Sequence, residues 1–429
     1  MSTTLTLHPP SAPFDARCRV PGSKSITNRA LVVAALAKGR SVLEGALVAD
    51  DTLAMRDVLS GLGIAITAED EGRTLTIQGC AGVPRAATSR LDGRSAGTVA
   101  RFLPPLLALG SGTYVLDGST QMRARPLGPG VGALGALGVA VAEAGTPGHL
   151  PIRVTGARGC IGHAASLRAD VSSQSTSGLL LSAPCFADGL ALTVEGDVVS
   201  RPYLAMTTAV MAAFGARVAQ NGPRYEVAPG GYRATSYAIE PDASAASYFF
   251  AAAAITGGRV VVPGLGLGSL QGDLAFVRVL EQMGCAVTMD AEATEVRGPR
   301  ELWGVEVDMR DLSDTAQTLA VVAPFATSPT RITGIGFIRG KESDRVGAVA
   351  TELRRAGVDV TEEPDGLLIW PGDPRAARIR TYDDHRMAMS FALLALRTPG
   401  IEIDDPGCVA KTYPGFFADF AAATGVTAA

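Results

Sequence analysis

Seven cations stand where a helix start or its leading loop would resist them. Lys24 and Arg29 flank the first turn of a helix expected to begin at Ser25, and Arg125 lies in the loop MRARPLG. Lys341 and Arg345 open the segment KESDRVGAVATELRRAG, four residues apart and so expected on one helical face. Arg386 follows Asp384–His385 at another helix start, and Lys411 lies in the loop AKTYPG. A cation at a helix N-terminus opposes the macrodipole. An anion bound there satisfies the dipole, the free N–H groups and the cations together. A solvated charged rim, with incidental pairs such as Glu342–Arg345, explains any one position. Cations at equivalent places along the whole chain point instead to phosphate or carboxylate ligands. Hydroxyl-rich helix starts add donors: Ser95-Ala96-Gly97-Thr98, Ser172-Ser173-Gln174, and Ser200 with Tyr203. Among the cations stand the carboxylates Asp50, Asp51, Asp242, Asp314, Glu342, Asp383 and Asp384. Asp314 and Glu342 are candidates for holding a sugar-like hydroxyl and taking its proton; simple N-capping is the alternative for each Asp.

Two literal motifs fail their context. Gly130-Val131-Gly132-Ala133-Leu134-Gly135 reads GxGxxG but has no strand directly before it, and PGSKS lacks the first glycine of a P-loop. Four isolated histidines and six scattered cysteines, with no CxxC, offer no metal-ligand spacing and fit a reducing compartment. With 38 basic and 42 acidic residues, the chain lacks the excess positive charge of a nucleic-acid binder. No apolar stretch approaches the ~20 residues that a bilayer requires, and MSTTLTLHPPSAPF is not a secretory signal. The expected protein is cytoplasmic, with no membrane or nucleic-acid partner and no metal.

The elements that must position these residues repeat six times. Gly63, Gly138, Gly215, Gly284, Gly357 and Gly425 each follow a helical stretch and precede a β-pattern (GIAIT, GVAVA, GARVA, GCAVT, GVDVT, GVTAA) at spacings of 68–77 residues. This is the pattern of a helix C-terminal cap leading into a strand. The preceding strands recur as SVLEG, YVLDG, LTVEG, VVVPG, RITG and IEIDD, and the first helices line up from Ser25, Ser95, Ser173, Asp242, Asp314 and Asp384. The period is too long for a solenoid. Each unit reads as a βαβαββ layer, and three layers would bury their helices together with the sheets outside. The predicted domains are 21–240 and 1–20 plus 241–429, with equivalent loops converging on a cleft between them. The sixth unit is truncated, and LTLH and FDARCRV near the N-terminus read as its missing strands.

Together these segments resemble the 5-enolpyruvylshikimate-3-phosphate synthase family, the 3-phosphoshikimate 1-carboxyvinyltransferases. The resemblance spans nearly the whole chain and rests on PGSKSITNRA, SAGTVAR, RARPLG, SSQ, SRPY, RGKESDR, DDHRMAM and AKTYPGF. It implies an inside-out α/β barrel of two three-repeat domains, acting as a monomer without a cofactor. The enolpyruvyl group of phosphoenolpyruvate passes to the 5-hydroxyl of shikimate 3-phosphate, on the route to chorismate and the aromatic amino acids. By the same resemblance, Lys24, Ser25, Arg29, Ser172, Ser173, Gln174, Ser200, Tyr203, Asp314 and Lys341 hold shikimate 3-phosphate. Lys24, Gly97, Arg125, Gln174, Arg345, Arg386 and Lys411 hold phosphoenolpyruvate and its competitor glyphosate. Asp314 takes the hydroxyl proton, while Glu342 and Lys24 handle the other protons. Ser95, Phe102, Ser175 and Phe337 depart from the family's usual residues.

Other readings are weaker. The related UDP-N-acetylglucosamine enolpyruvyl transferases carry a reactive cysteine in the loop that here runs from Asp117 to Gly128, and this loop has none. A non-catalytic scaffold predicts loss of Lys24, Asp314 or Lys411, and all three are present. A nucleic-acid end-processing enzyme disagrees with the acidic charge balance.

Overall fold

The computed structural model describes residues 4–86, 88–159, 161–170 and 172–428, so Cys160 lies outside the described residues. Two compact units emerge. One is Gly22–Ile239; the other is Glu240–Ala429 together with the segment through Pro21.

Beyond a polar first turn, the first helix of each repeat is built largely of apolar and small residues, and such a helix is stable inside a core. The first unit buries Lys24–Leu36, Gly97–Leu107 and Gln174–Ser182 along almost their whole length. The second unit does the same with Ala243–Thr256, Ala316–Val322 and His385–Phe391. Close packing requires small residues where backbones meet. A methyl group at Gly178 would lie 2.2 Å from the Arg101 carbonyl oxygen, so only glycine fits where those two helices meet.

Each unit carries three four-stranded sheets, and all six share one pattern. In the second repeat, Thr88–Asp92 runs parallel to Thr113–Asp117, which pairs antiparallel with Ile152–Thr155, and that with Val141–Glu143. The six glycines after the second helices all take left-handed backbone, with φ of 84°, 83°, 86°, 106°, 82° and 77°. An L side chain is disfavoured there, which is why glycine recurs in the sequence.

Three repeats draw a strand from a distant segment. Thr4–His8 pairs with Ile401–Asp404 and Thr427–Ala428, completing the sixth sheet. The expectation that FDARCRV also joins the sixth repeat is corrected. Asp15–Arg17 lies parallel to Arg259–Pro263 in the fourth sheet, where Arg259 bonds Asp15 at 2.8 Å and Glu295 at 2.7 Å. The fourth repeat follows the crossover and has no opening strand of its own, and the proline-rich segment 9–14 delivers one. Ser236–Ala238 similarly opens the first sheet beside Arg40–Glu44. Among the described residues, no helix is long and apolar enough to cross a membrane.

Candidate functional site

In Gly22–Ile239 the first turns of the three buried helices are polar and bond to one another. Asn28 Nδ2 donates to Thr98 Oγ1 at 2.8 Å, and Arg101 Nη1 donates to Gln174 Oε1 at 3.3 Å. Ser25, expected as a cap, is instead the second helical residue. Ser23 caps the helix by accepting from Ile26 N, because the helix begins one residue earlier at Lys24. Lys24 Nζ lies 3.4 Å from Asp51 Oδ2.

Arg29 is fully buried. Nε donates to Thr207 Oγ1 (2.8 Å), Nη1 to Ser25 O (2.9 Å), and Nη2 to Ser177 Oγ and Tyr203 O (both 3.2 Å). Its guanidinium lies over the rings of Phe102 (5.2 Å) and Tyr203 (5.7 Å). Phe102 therefore packs against this cation. Burial lowers the Arg29 pKa to about 10, which leaves it charged at neutral pH. Four of its five donors are engaged within the unit, so Arg29 ties three helices together as well as presenting charge.

Ser95 does not begin a helix. Gly97–Leu107 is preceded by Ala96, and Ser95 Oγ lies 2.8 Å from Ser119 Oγ. Gly97 closely faces two arginines: a methyl group there would lie 3.0 Å from Arg125 Nη2, 3.1 Å from Arg125 Nη1 and 3.2 Å from Arg101 Nη1. Arg125 is buried just past the short helix Thr120–Arg123. Arg101 also donates to Gly97 O and Pro126 O, at 3.3 and 2.8 Å. Sequence reasoning quoted Arg101 in a motif but gave it no role. The available signal was a charged residue inside an otherwise apolar helix, which is rarely buried unless partnered. Ser172 accepts from Gln174 N at 3.2 Å, Ser173 precedes the buried helix, and Ser200 takes left-handed backbone (φ 56°) just before Tyr203.

The second unit gathers its charges around one buried guanidinium. Arg345 is 2 % exposed. It meets Asp384 through Nε at 2.8 Å, Glu342 through Nη2 at 2.8 Å and Asp314 through Nη1 at 3.3 Å. Asp314 also accepts from Arg386 Nη2 at 2.6 Å, and Arg386 Nη1 approaches the Tyr248 hydroxyl at 3.5 Å. Burial by itself lowers the Arg345 pKa. Asp384, Glu342 and Asp314 outweigh it and hold the pKa above the ordinary arginine value, with Arg386 opposing. Burial pushes the Tyr248 hydroxyl up to about 12.

Asp314 is not a helix cap. It lies in the 3-10 turn Ser313–Thr315, which frees its carboxylate for two arginines that follow 31 and 72 residues later. The shared helical face expected for Lys341 and Arg345 is also corrected. The helix starts at Arg345 with Asp344 as its cap, so Lys341 precedes it, its ammonium 5.7 Å from the Phe337 ring centre. Asp384 does cap its helix, accepting from Arg386 N at 3.0 Å. Lys411 is buried at the end of the turn Pro406–Lys411 and acts on Asp383, whose carboxyl burial and Asp405 raise above the ordinary value while Lys411 opposes.

The turn that delivers Asp384 is strained. Tyr382 and Asp383 both have positive φ, 55° and 54°, and Thr381 O accepts from Asp384 N at 2.9 Å. Two consecutive non-glycine residues in this region cost of order 1–3 kcal/mol each and persist only where their surroundings hold them.

Taken together, each unit offers buried or half-buried cations at the first turns of apolar helices, with carboxylates among them. That arrangement suits polyanionic ligands bearing a hydroxyl to be deprotonated. Among the described residues, no group of three or more His, Cys, Asp or Glu side chains could hold a metal ion.

The comparisons agree with this chemistry. Residues 9–420 match the profile of the EPSP synthase (3-phosphoshikimate 1-carboxyvinyltransferase) family. A 3-phosphoshikimate 1-carboxyvinyltransferase of Nostoc punctiforme is 47% identical over 419 residues, covering 97% of this chain and 98% of that protein. One from Methanosphaerula palustris is 43% identical over 426 residues, covering 98% and 99%. The structure of EPSP synthase from Acinetobacter baumannii superposes with a TM-score of 0.84 at 26% identity, covering 100% of both chains.

Proposed function

The chain belongs to the EPSP synthase family and catalyses the 3-phosphoshikimate 1-carboxyvinyltransferase reaction, and from that premise we propose how its own residues perform the transfer. The reaction moves the enolpyruvyl group of phosphoenolpyruvate to the 5-hydroxyl of shikimate 3-phosphate and releases phosphate. Lys24, Ser25, Arg29, Ser172, Ser173, Gln174, Ser200, Tyr203, Asp314 and Lys341 bind shikimate 3-phosphate. Lys24, Gly97, Arg125, Gln174, Arg345, Arg386 and Lys411 bind phosphoenolpyruvate.

The observation that carries these roles is the sharing of Asp314 between Arg345 and Arg386, at 3.3 and 2.6 Å. A substrate carboxylate arriving at the two guanidiniums competes with Asp314 and turns it toward the 5-hydroxyl. The hydroxyl oxygen then adds to C2 of phosphoenolpyruvate as its proton passes to Asp314, and C3 takes a proton from Glu342 or Lys24. The adduct loses phosphate as one C3 proton returns to the protein, which leaves the enol ether. C2 gains oxocarbenium character in both steps. A carboxylate held beside it by fixed arginines offsets that charge without reorganisation at the moment of reaction.

A reducing, cytoplasmic setting is part of the proposal and is supported by the five described cysteines, all free. Phosphate release from phosphoenolpyruvate, measured with and without shikimate 3-phosphate, tests the scheme. Wild-type protein should release phosphate only with both substrates. Asp314→Ala should lower kcat by about 10²–10⁴-fold, the usual contribution of a positioned base, in a protein that still folds, as circular dichroism would check. Near-normal turnover of a folded Asp314→Ala protein would remove Asp314 from the mechanism.

A further inference from the structure

Helix Arg345–Arg355 grips the strained turn at two points. Arg345 holds Asp384, just after the turn, through Nε at 2.8 Å and Nη2 at 3.2 Å. Glu352 lies seven residues on, two turns along the same face of that helix. It is completely buried and accepts from both the backbone and a side chain of the turn segment: Arg380 N at 3.1 Å and the Tyr382 hydroxyl at 2.7 Å. Arg355 completes its partners, with Nε at 2.8 Å. Tyr382 is the first of the two left-handed residues. It is also 40% exposed, so packing alone does not hold it.

A tyrosine in left-handed backbone relaxes to an ordinary conformation unless something restrains it. Here the restraint is the phenol–carboxylate bond. Relaxation would rotate the chain at Asp384, which caps the last buried helix and orients Arg345, and would carry Arg386 with it.

We propose that Glu352, acting through the Tyr382 hydroxyl, is a positioning residue for phosphoenolpyruvate binding: it holds the Thr381–Asp384 turn in its left-handed form and so aligns Asp384, Arg345 and Arg386. This rests on the assignment of Arg345 and Arg386 to phosphoenolpyruvate made above. The phenol remains a donor at working pH, since burial and then Glu352 raise its pKa to about 12.

The test uses Tyr382→Phe, which deletes one oxygen at a half-exposed position and should fold. Steady-state phosphate release should show KM for phosphoenolpyruvate raised about 3- to 10-fold, a loss of one hydrogen bond's worth of alignment. KM for shikimate 3-phosphate should stay within twofold, and the melting temperature should fall only slightly. Glu352→Ala should act in the same direction. Glu352→Gln, whose amide oxygen still accepts from Arg380 N and whose nitrogen can donate to the phenol oxygen, should remain within about threefold of wild type. Amide hydrogen exchange of the ligand-free protein should speed up in the 380–387 peptide of Tyr382→Phe and not in the 26–36 peptide.

Arg386→Ala is the control. If Arg386→Ala raises KM for phosphoenolpyruvate but Tyr382→Phe does not, the clamp is refuted while the site assignment stands. If Arg386→Ala itself leaves that KM unchanged, the site assignment fails. Equal increases in both substrates' KM with a large loss of melting temperature would reduce Glu352 to a purely structural residue and overturn the proposal.

Discussion

Gly97→Ala is the perturbation whose effect the geometry sets most sharply. Gly97 is the first residue of its helix, and its φ is not in the left-handed region, so alanine meets no backbone barrier. The new methyl carbon would lie 3.0 and 3.1 Å from the two terminal nitrogens of Arg125 and 3.2 Å from Arg101 Nη1. An ordinary contact is about 3.5 Å, so the Arg125 guanidinium must recede by about 0.4–0.5 Å. Hydrogen bonds to charged groups contribute about 1.5–3 kcal/mol. Stretching one or two of them by that amount should forfeit about 1–2 kcal/mol, or roughly 5- to 30-fold in affinity. Alanine is the better helix former by up to about 1 kcal/mol, which offsets the crowding.

We therefore expect KM for phosphoenolpyruvate to rise 5- to 30-fold with kcat nearly unchanged and no loss of melting temperature. Glyphosate, whose phosphonate end is longer than the substrate's phosphate, should compete with phosphoenolpyruvate in the wild type. Its inhibition constant should rise more than KM does in the variant. The assay is initial-rate phosphate release at several concentrations of phosphoenolpyruvate and glyphosate. In an Arg125→Lys background the guanidinium that the methyl displaces is gone, and Gly97→Ala should then add little. A full, additive effect of the methyl in that background would refute displacement of Arg125 as the cause, as would an unchanged KM in the single variant.

Two further outcomes follow from the buried charges. Arg29→Lys replaces a planar fork that reaches Thr207, Ser177 and the carbonyls of Ser25 and Tyr203. It should lower stability in urea by about 2–3 kcal/mol, since the ammonium leaves several of these groups unsatisfied; an unchanged midpoint would contradict the tying role. Asp383 has a carboxyl raised by burial and by Asp405, with Lys411 opposing and Asp384 adding. Because folding raises this pKa, the associated stability is fully present below the ordinary carboxyl pKa and is lost as pH rises through the raised value. Asp383→Asn should therefore gain melting temperature over wild type progressively from about pH 4 toward neutrality, measured without ligand. Asparagine also tolerates the left-handed backbone at this position. A temperature gap that does not change with pH would refute the electrostatic part.

The architecture was legible because it is written in local patterns repeated six times. A glycine that ends a helix in left-handed backbone, followed by alternating apolar residues, needs only neighbours in sequence to be recognised. The motif clusters around Lys24, Gly97, Arg345 and Arg386 identify the family. What the tertiary structure decided is how each charge is used. Arg29 and Arg345 read alike, as cations beside a helix start. Only packing engages four donors of Arg29 with residues up to 178 positions away and surrounds Arg345 with three carboxylates. In sequence Asp314 reads equally as a base or as a helix cap, until the chain 31 and 72 residues later brings two arginines to it. The strand Asp15–Arg17 and the pairing of Glu352 with Tyr382 were hidden for the same reason. Hydrophobic periodicity encodes which face of an element is buried, but ion pairs and borrowed strands depend on distances between elements, and no local pattern records those.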